Sequence, residues 1–370
     1  HQYMEQEMTE IIRPETINFE NGVKDKPTFS AIEMANRNAK LRAHLAANDI
    51  DAAMITPGSN MRYFFGPAFY ESERFVGALI TADALIFICP KFEDTAIIAK
   101  LPVALDMAYW EEHESPYGLP TKILAEAGVT GGTIGLDEAT PFFVSNGIAL
   151  AAPKFNYING ADITARCRMI KSEGELALMQ RAKEMTLAVH KATASMLREG
   201  ITTAEVGEFL DAAHRIVGAP KGSYFKIVLF GPDSSYPHGV KSPKALEDGD
   251  MVLIDTGCQL HDYISDITRS YVFGTPSDRQ RRVWNAEKAA QAKAFDAAQE
   301  GKVFFLALNL VNQANLHAIV QEGQLAQALG QDLVVVFDIA ENFHVGQVTH
   351  AGTRAAFCRT GHRQGSSALA

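Results

Sequence analysis

The sequence has 370 residues, 47% hydrophobic and 21% charged, the make-up of a folded globular chain long enough for two separate cores. Its formal net charge of −10 argues against a nucleic-acid partner, which needs a basic face. No apolar run approaches the roughly 20 residues of a membrane-crossing helix, and Cys89, Cys167, Cys258 and Cys358 show no CxxC spacing, so they read as reduced, buried thiols of a cytoplasmic protein.

The chain begins at His1, with its first methionine at Met4, as a fragment would. Residues 1–27 are polar and acidic, without the basic region and apolar core of a secretory signal, and are expected to form a loose arm. Apolar residues at helical spacing predict a helix over 31–48. Two short apolar runs, 52–56 closed by Pro57-Gly58 and 84–89 closed by Pro90, predict buried strands. Strands and helical stretches alternate up to Gly160, which predicts an α/β domain. A long amphipathic helix is predicted over 170–200, with Lys171, Glu173 and Glu175 in its first turns and Gly200 as its stop. A second follows from Thr203 to about Val217, capped by Thr202 or Thr203 with Glu205 as the partner. Residues 224–229, 251–256 and 263–273 are strand-like, and 277–300 is helical. The domain boundary is expected at residues 163–170, giving domains 1–165 and 166–370.

Composition changes after Lys302. Residues 303–370 hold no lysine, no proline and only two glutamates, Glu322 and Glu341, and their charge density is about half that of the whole chain. A break of this size inside one domain is unusual.

The densest chemistry lies in 251–274. Four apolar residues, Met251 to Ile254, lead into Asp255, which is expected at the end of a buried strand. A loop containing Gly257 is expected to return the chain into a second strand carrying Asp266, eleven residues on. Antiparallel neighbours about 5 Å apart would let both carboxylates reach one point. Paired carboxylates repel and lose hydration, and a divalent cation cancels both costs. Hard oxygen donors suit Mn, Co, Zn or Mg, and two such ions about 3.5–4 Å apart activate a water near neutral pH. An aspartate taken at random is a turn or edge residue. Here the apolar lead-in and the spacing make paired ligands the better reading.

The second signal is Phe230-Gly-Pro-Asp-Ser-Ser-Tyr-Pro-His238-Gly239, a Gly/Pro/Ser-rich loop seventeen residues before Asp255. Most loop histidines are solvated bystanders. Beside the aspartates, this one is placed to donate to a substrate carbonyl or to shuttle a proton to a leaving amine.

These segments, FGPDSSYPHG, LEDGDMVLIDTG and SDITRSYVFG, resemble the creatinase, prolidase and methionine aminopeptidase superfamily, and within it most closely the bacterial Xaa-Pro dipeptidases. The stretch from Arg168 to Glu175 is similar to that family's entry into its catalytic domain, and Asn60–Gly66 with Ser72-Glu73-Arg74 to its N-terminal domain. The resemblance covers residues 30–300. It implies an α/β (α+β) chain, with a creatinase-like N-terminal domain followed by a pita-bread catalytic domain, and a cytoplasmic homodimer. It also implies a metal-dependent hydrolase that cleaves short proline-containing peptides with a metal-activated water and two divalent ions (Mn, Co or Zn). Asp255 and Asp266 would be two of five metal ligands, Asp266 bridging, and His238 would assist substrate binding and turnover.

The family's remaining ligands are a histidine in a TGHGIG-like motif and two later glutamates. The TGH of this chain is Thr360-Gly361-His362, 96 residues after Asp266, followed by Arg363-Gln364-Gly365. Cys358 stands where the family often has histidine. His362 is therefore the candidate third ligand, but no glutamate follows it. Glu341 precedes it, in the wrong order, and His344 and His350 read as surface residues. On these residues alone the metal site is weak, the pita-bread domain looks incomplete, and hydrolysis by the chain as written is in doubt. Either a frameshift, fusion or truncation lies near residue 302, or the chain is a shortened homologue that has lost catalysis. Two other functions stay open: a catalytically dead pita-bread binding protein, and a creatinase-type or lyase-type relative acting on a small osmolyte.

Overall fold

The computed structural model describes residues 31–66, 69, 72–236 and 238–297. The arm 1–27 and the stretch 303–370, with Glu341, His344, His350, Cys358 and His362, lie outside them. The chain splits into two compact units at Ile170/Lys171.

The first unit contains, in chain order, α1 (Ala31–Ala47), β1 (Ala52–Ile55), α2 (Ser59–Phe65), β2 (Gly77–Ile80), β3 (Leu85–Pro90), α3 (Asp94–Ile98), β4 (Asp106–Trp110), α4 (Leu119–Glu126), β5 (Gly132–Leu136), α5 (Phe142–Ala151), β6 (Phe155–Asn159) and α6 (Ala161–Met169). Among the described residues the six strands form one sheet in the order β4-β3-β2-β1-β5-β6. β1 runs parallel to β5 and antiparallel to β2. Its four residues are all buried because both faces of the sheet are covered, so the strand reads as an unbroken apolar run. Ala53 and Ile55 pack with Leu41, Phe64, Phe65 and Ile163 on one face. Ala52 and Met54 pack with Leu124, Val144 and Ile148 on the other.

The second unit contains α7 (Glu173–Met196), α8 (Thr203–Ile216), β7 (Ser223–Phe230), β8 (Met251–Leu260), β9 (Tyr263–Ile264), β10 (Ile267–Val272) and α9 (Asp278–Ala297). α7 and α8 each open with a capping box. Ser172 caps the N–H of Glu175, Thr202 caps that of Glu205, and each glutamate returns a bond to the backbone N–H of its cap. The buried stripe of α7, Leu178, Ala182, Met185, Thr186, Val189, His190 and Thr193, follows the 3–4 residue helical spacing and packs on β8. α8 packs on β7 through Val206, Phe209, Leu210 and Ala213.

The sheet order is β10-β8-β7, with β9 also paired to β8. On β8, Val252, Ile254, Thr256, Cys258 and Leu260 are buried, while Met251, Leu253, Asp255 and Gln259 are half-buried. Burying an aliphatic side chain fully stabilises by about 1.5–3 kcal/mol. A slip of one residue would expose Val252, Ile254 and Leu260 and bury Asp255, so this alternation fixes the register. The three described cysteines, Cys89, Cys167 and Cys258, are free and buried. Among the described residues no helix is long and apolar enough to cross a membrane.

Candidate metal centre

β8 does not end at Asp255; it continues through Gly257 to Leu260. The turn is made instead by His261 and Asp262, with φ of 46° and 74°. Two successive left-handed residues close a two-residue hairpin whose twist matches that of its strands. Beyond the turn, Tyr263 pairs with Leu260, Ile264 with Gln259, and Ile267 with Thr256, all in one register.

Asp255 lies directly opposite Thr268, not Asp266. The Ser265 N–H donates to the Cys258 carbonyl at 2.9 Å, so the register carries through and sets Asp266 against Gly257. Side chains alternate along a strand, so Asp255, Thr268 and Asp266 share one face, with the two carboxylates at diagonal positions. Gly257 is what lets the strands meet there. A Cβ on it would stand 1.7 Å from the Ser265 carbonyl oxygen.

Asp255 is half-buried, and its Oδ1 atom is shut off from solvent. Asp266 is exposed. On β7, Ile227 is the cross-strand partner of Asp255, and Leu229 that of Leu253. Both therefore belong to the carboxylate face.

His238 is exposed, in the loop that leaves β7. That loop holds its own shape. Ser234 Oγ donates to the Gly231 carbonyl at 2.7 Å, the Tyr236 N–H to Asp233 at 3.0 Å, and the Gly239 N–H to Tyr236 at 3.1 Å. Gly239, next to His238, folds back against Ile227 and Leu229, where an added Cβ would be 3.8 and 3.9 Å from their methyl groups. The loop thus returns over the face that carries Asp255.

A buried carboxylate oxygen beside a second carboxylate is the donor chemistry of a hard divalent cation. The two aspartates fit one as part of a ligand set. Among the described residues no group of three or more His, Cys, Asp or Glu side chains converges. His362 lies outside those residues.

Behind the sheet is a group that the sequence reading did not pick out. Thr186, His190, His214 and Ser265 are all buried. Burial pushes both imidazoles down to about 4, so they are neutral near pH 7. Helical periodicity places positions 186, 190 and 214 on apolar stripes, but it cannot show that their polar groups meet.

Residues 177–365 match the model of metallopeptidase family M24, and residues 37–170 match the creatinase/prolidase N-terminal domain. The chain belongs to metallopeptidase family M24. The M24 span includes His238, Asp255, Asp266 and His362. An uncharacterised peptidase of Staphylococcus aureus (strain USA300) is 28% identical over 266 residues, 71% of this chain and 73% of its own length. A Xaa-Pro dipeptidase of Pyrococcus horikoshii is 26% identical over 270 residues, 72% and 73% of the two chains. The crystal structure of dipeptidase PepE from Mycobacterium ulcerans superposes with a TM-score of 0.72 at 25% identity, covering 80% of this chain and 78% of that one. The architecture is accordingly that of the M24 group, a creatinase-like N-terminal domain followed by a pita-bread domain. M24 members are metal-dependent peptidases, which makes this chain a hydrolase by family and peptides its substrate class.

Proposed function

We propose that the protein is an Xaa-Pro dipeptidase in which Asp255 and Asp266 hold two divalent ions, Mn, Co or Zn, with His362 as a further ligand. The observation that carries this reading is the pair of aspartates on one face of a hairpin whose register is fixed by burial. Ions bound by these residues would supply Lewis-acid chemistry, activating a water near neutral pH and polarising the scissile carbonyl.

The chain's own groups do the rest. Asp255 sits in the middle of β8, so the register of the strand fixes the face on which its carboxylate stands. Ile227, Leu229 and Leu253 give that face an apolar floor, which suits a proline ring. An Xaa-Pro bond has no N–H, and its nitrogen must gain a proton to leave as an amine. His238 would donate to the substrate carbonyl or pass that proton, a role supported by its exposure beside the folded-back Gly239. The peptidase names of the relatives favour this chemistry over a small-osmolyte or purely binding role.

The test is proline release from Ala-Pro and Gly-Pro by the metal-stripped full chain, after resupply of Mn2+, Co2+ or Zn2+. Asp255→Asn is expected to abolish both metal uptake and turnover. His238→Ala is expected to keep metal uptake and lose about 10²–10⁴ in kcat, the usual worth of a general acid–base group. Proline release that persists in chelator, or equal cleavage of Ala-Ala, would refute the assignment.

A further inference from the structure

Asp266 is exposed and lies between β9 and β10. Its two neighbours are held tightly. Ser265 is completely buried; its Oγ accepts the Cys258 N–H at 2.9 Å and lies 2.7 Å from Thr186 Oγ1 on α7. Thr186 Oγ1 is 3.1 Å from His214 Nε2 on α8, and His214 Nδ1 is 2.9 Å from Ser223 Oγ at the start of β7. On the other side of Asp266, the carbonyl of Ile267 is 2.8 Å from His190 Nε2. A carbonyl only accepts, so His190 carries its proton on Nε2 and donates it. By strand alternation, Ser265 and Ile267 point away from the carboxylate face, toward the helices.

We propose that Thr186, His214 and His190 are positioning residues for Asp266, a clamp on the helix side of the sheet that holds the residues before and after it and so aims its carboxylate at the site in front. Apolar side chains of the same volume would fill this interior at no cost in desolvation, since a buried polar network is favourable only when fully satisfied. What the hydroxyl–imidazole chain adds is direction. It joins α7, α8, β7 and β8 and ends on the side chain of Ser265, just before Asp266, while His190 separately holds the carbonyl of Ile267, just after it. His214 is neutral and offers one N–H and one lone pair, which satisfies the hydroxyls on either side of it.

The inference rests on the metal-centre reading of Asp266, and the experiment separates the two. Thr186→Val keeps the shape of the side chain and removes its hydroxyl; Thr186→Ser restores the hydroxyl; His190→Leu cuts the other arm independently. The first readout is amide hydrogen exchange in the metal-free full chain. Exchange across residues 264–268 should quicken in Thr186→Val and His190→Leu, leave the first unit unchanged, and return to the wild-type rate in Thr186→Ser. The second is titration with Mn2+ alone, where both disruptive variants should bind about 10–100-fold more weakly, the scale for groups that orient a metal ligand. Unchanged exchange at 264–268 in both variants, or exchange quickened evenly over the whole second unit, would overturn the clamp. If wild type takes up no Mn2+, the metal reading falls and the exchange data alone decide the clamp.

Discussion

Replacing Gly257 by alanine tests how tightly the two aspartates are set by the backbone between them. The added Cβ would stand 1.7 Å from the Ser265 carbonyl oxygen, 2.7 Å from the carbonyl carbon and 3.1 Å from Phe225 Cε1. Side-chain carbons essentially never come closer than 3.0 Å to such atoms, so the Ser265–Asp266 peptide must retreat by about 1.3 Å. The obstacle is backbone, which cannot rotate aside as a flexible side chain would. Gly257 has no left-handed φ, so the requirement is for space alone. Overpacking costs about 1–3 kcal/mol, and the lost bond from the Ser265 N–H to Cys258 adds roughly 1 kcal/mol. We therefore expect Gly257→Ala to destabilise the second unit by about 2–4 kcal/mol and to weaken Mn2+ binding, because Asp266 moves with the peptide. Urea unfolding followed by unit-resolved hydrogen exchange measures the first, and calorimetric titration the second. A variant within about 0.5 kcal/mol of wild type, the range of an inconsequential surface change, with unaltered Mn2+ affinity would show that the hairpin is looser than the geometry implies.

Acid should loosen the same unit. His190 and His214 have folded-state pKa values lowered from 6.5 to about 4. The unfolded chain therefore binds more protons between these values, and stability present above pH 6.5 is lost as the pH falls toward 4, by about 3 kcal/mol for each imidazole. Burial is the main cause of the His190 shift, and the nearby Arg269 charge contributes to it. Equal unfolding free energies of the metal-free chain at pH 7.5 and pH 5 would contradict this. Ser172→Ala removes the hydroxyl that caps α7 and should cost about 1 kcal/mol, read as an earlier urea midpoint with an unchanged slope; no shift would mean that Glu175 holds the helix start alone.

Much of this was legible in the sequence because local rules and burial agree. The run 52–56 reads as a strand, and Ala52–Ile55 forms one at the centre of a sheet covered on both faces. The pairing of Thr202 with Glu205 reads as a cap and folds as a capping box, while Ser172, which falls inside the helix expected over 170–200, is itself the cap of α7. The hairpin was harder. Gly257 looked like a turn because glycine usually marks one, but here it serves the close approach of Ser265, a contact made by residues eight apart that no spacing rule encodes. His261-Asp262, the actual turn, lacks the Asn-Gly or Asp-Gly signature of its class. Asp255 and Asp266 stood out from their spacing and apolar lead-in, while the offset that makes them diagonal depended on the register. His190 and His214 were illegible for a different reason: periodicity predicts burial, and burial says nothing about which polar group waits on the facing element.

The strand order of the first unit also governs how the chain emerges during synthesis. Ala53 pairs with Ile80 on one side but with Gly135 on the other. At about 5–20 residues per second, the ribosome needs roughly 3–11 s to reach the second partner after the first. Through that interval β1, apolar on both faces, presents one unpaired edge, the kind of surface that recruits chaperones or another nascent chain. A release point just before residue 130 would make that exposure permanent, and yield from cells should be lower there than for chains ended a few tens of residues later, beyond β5 and β6.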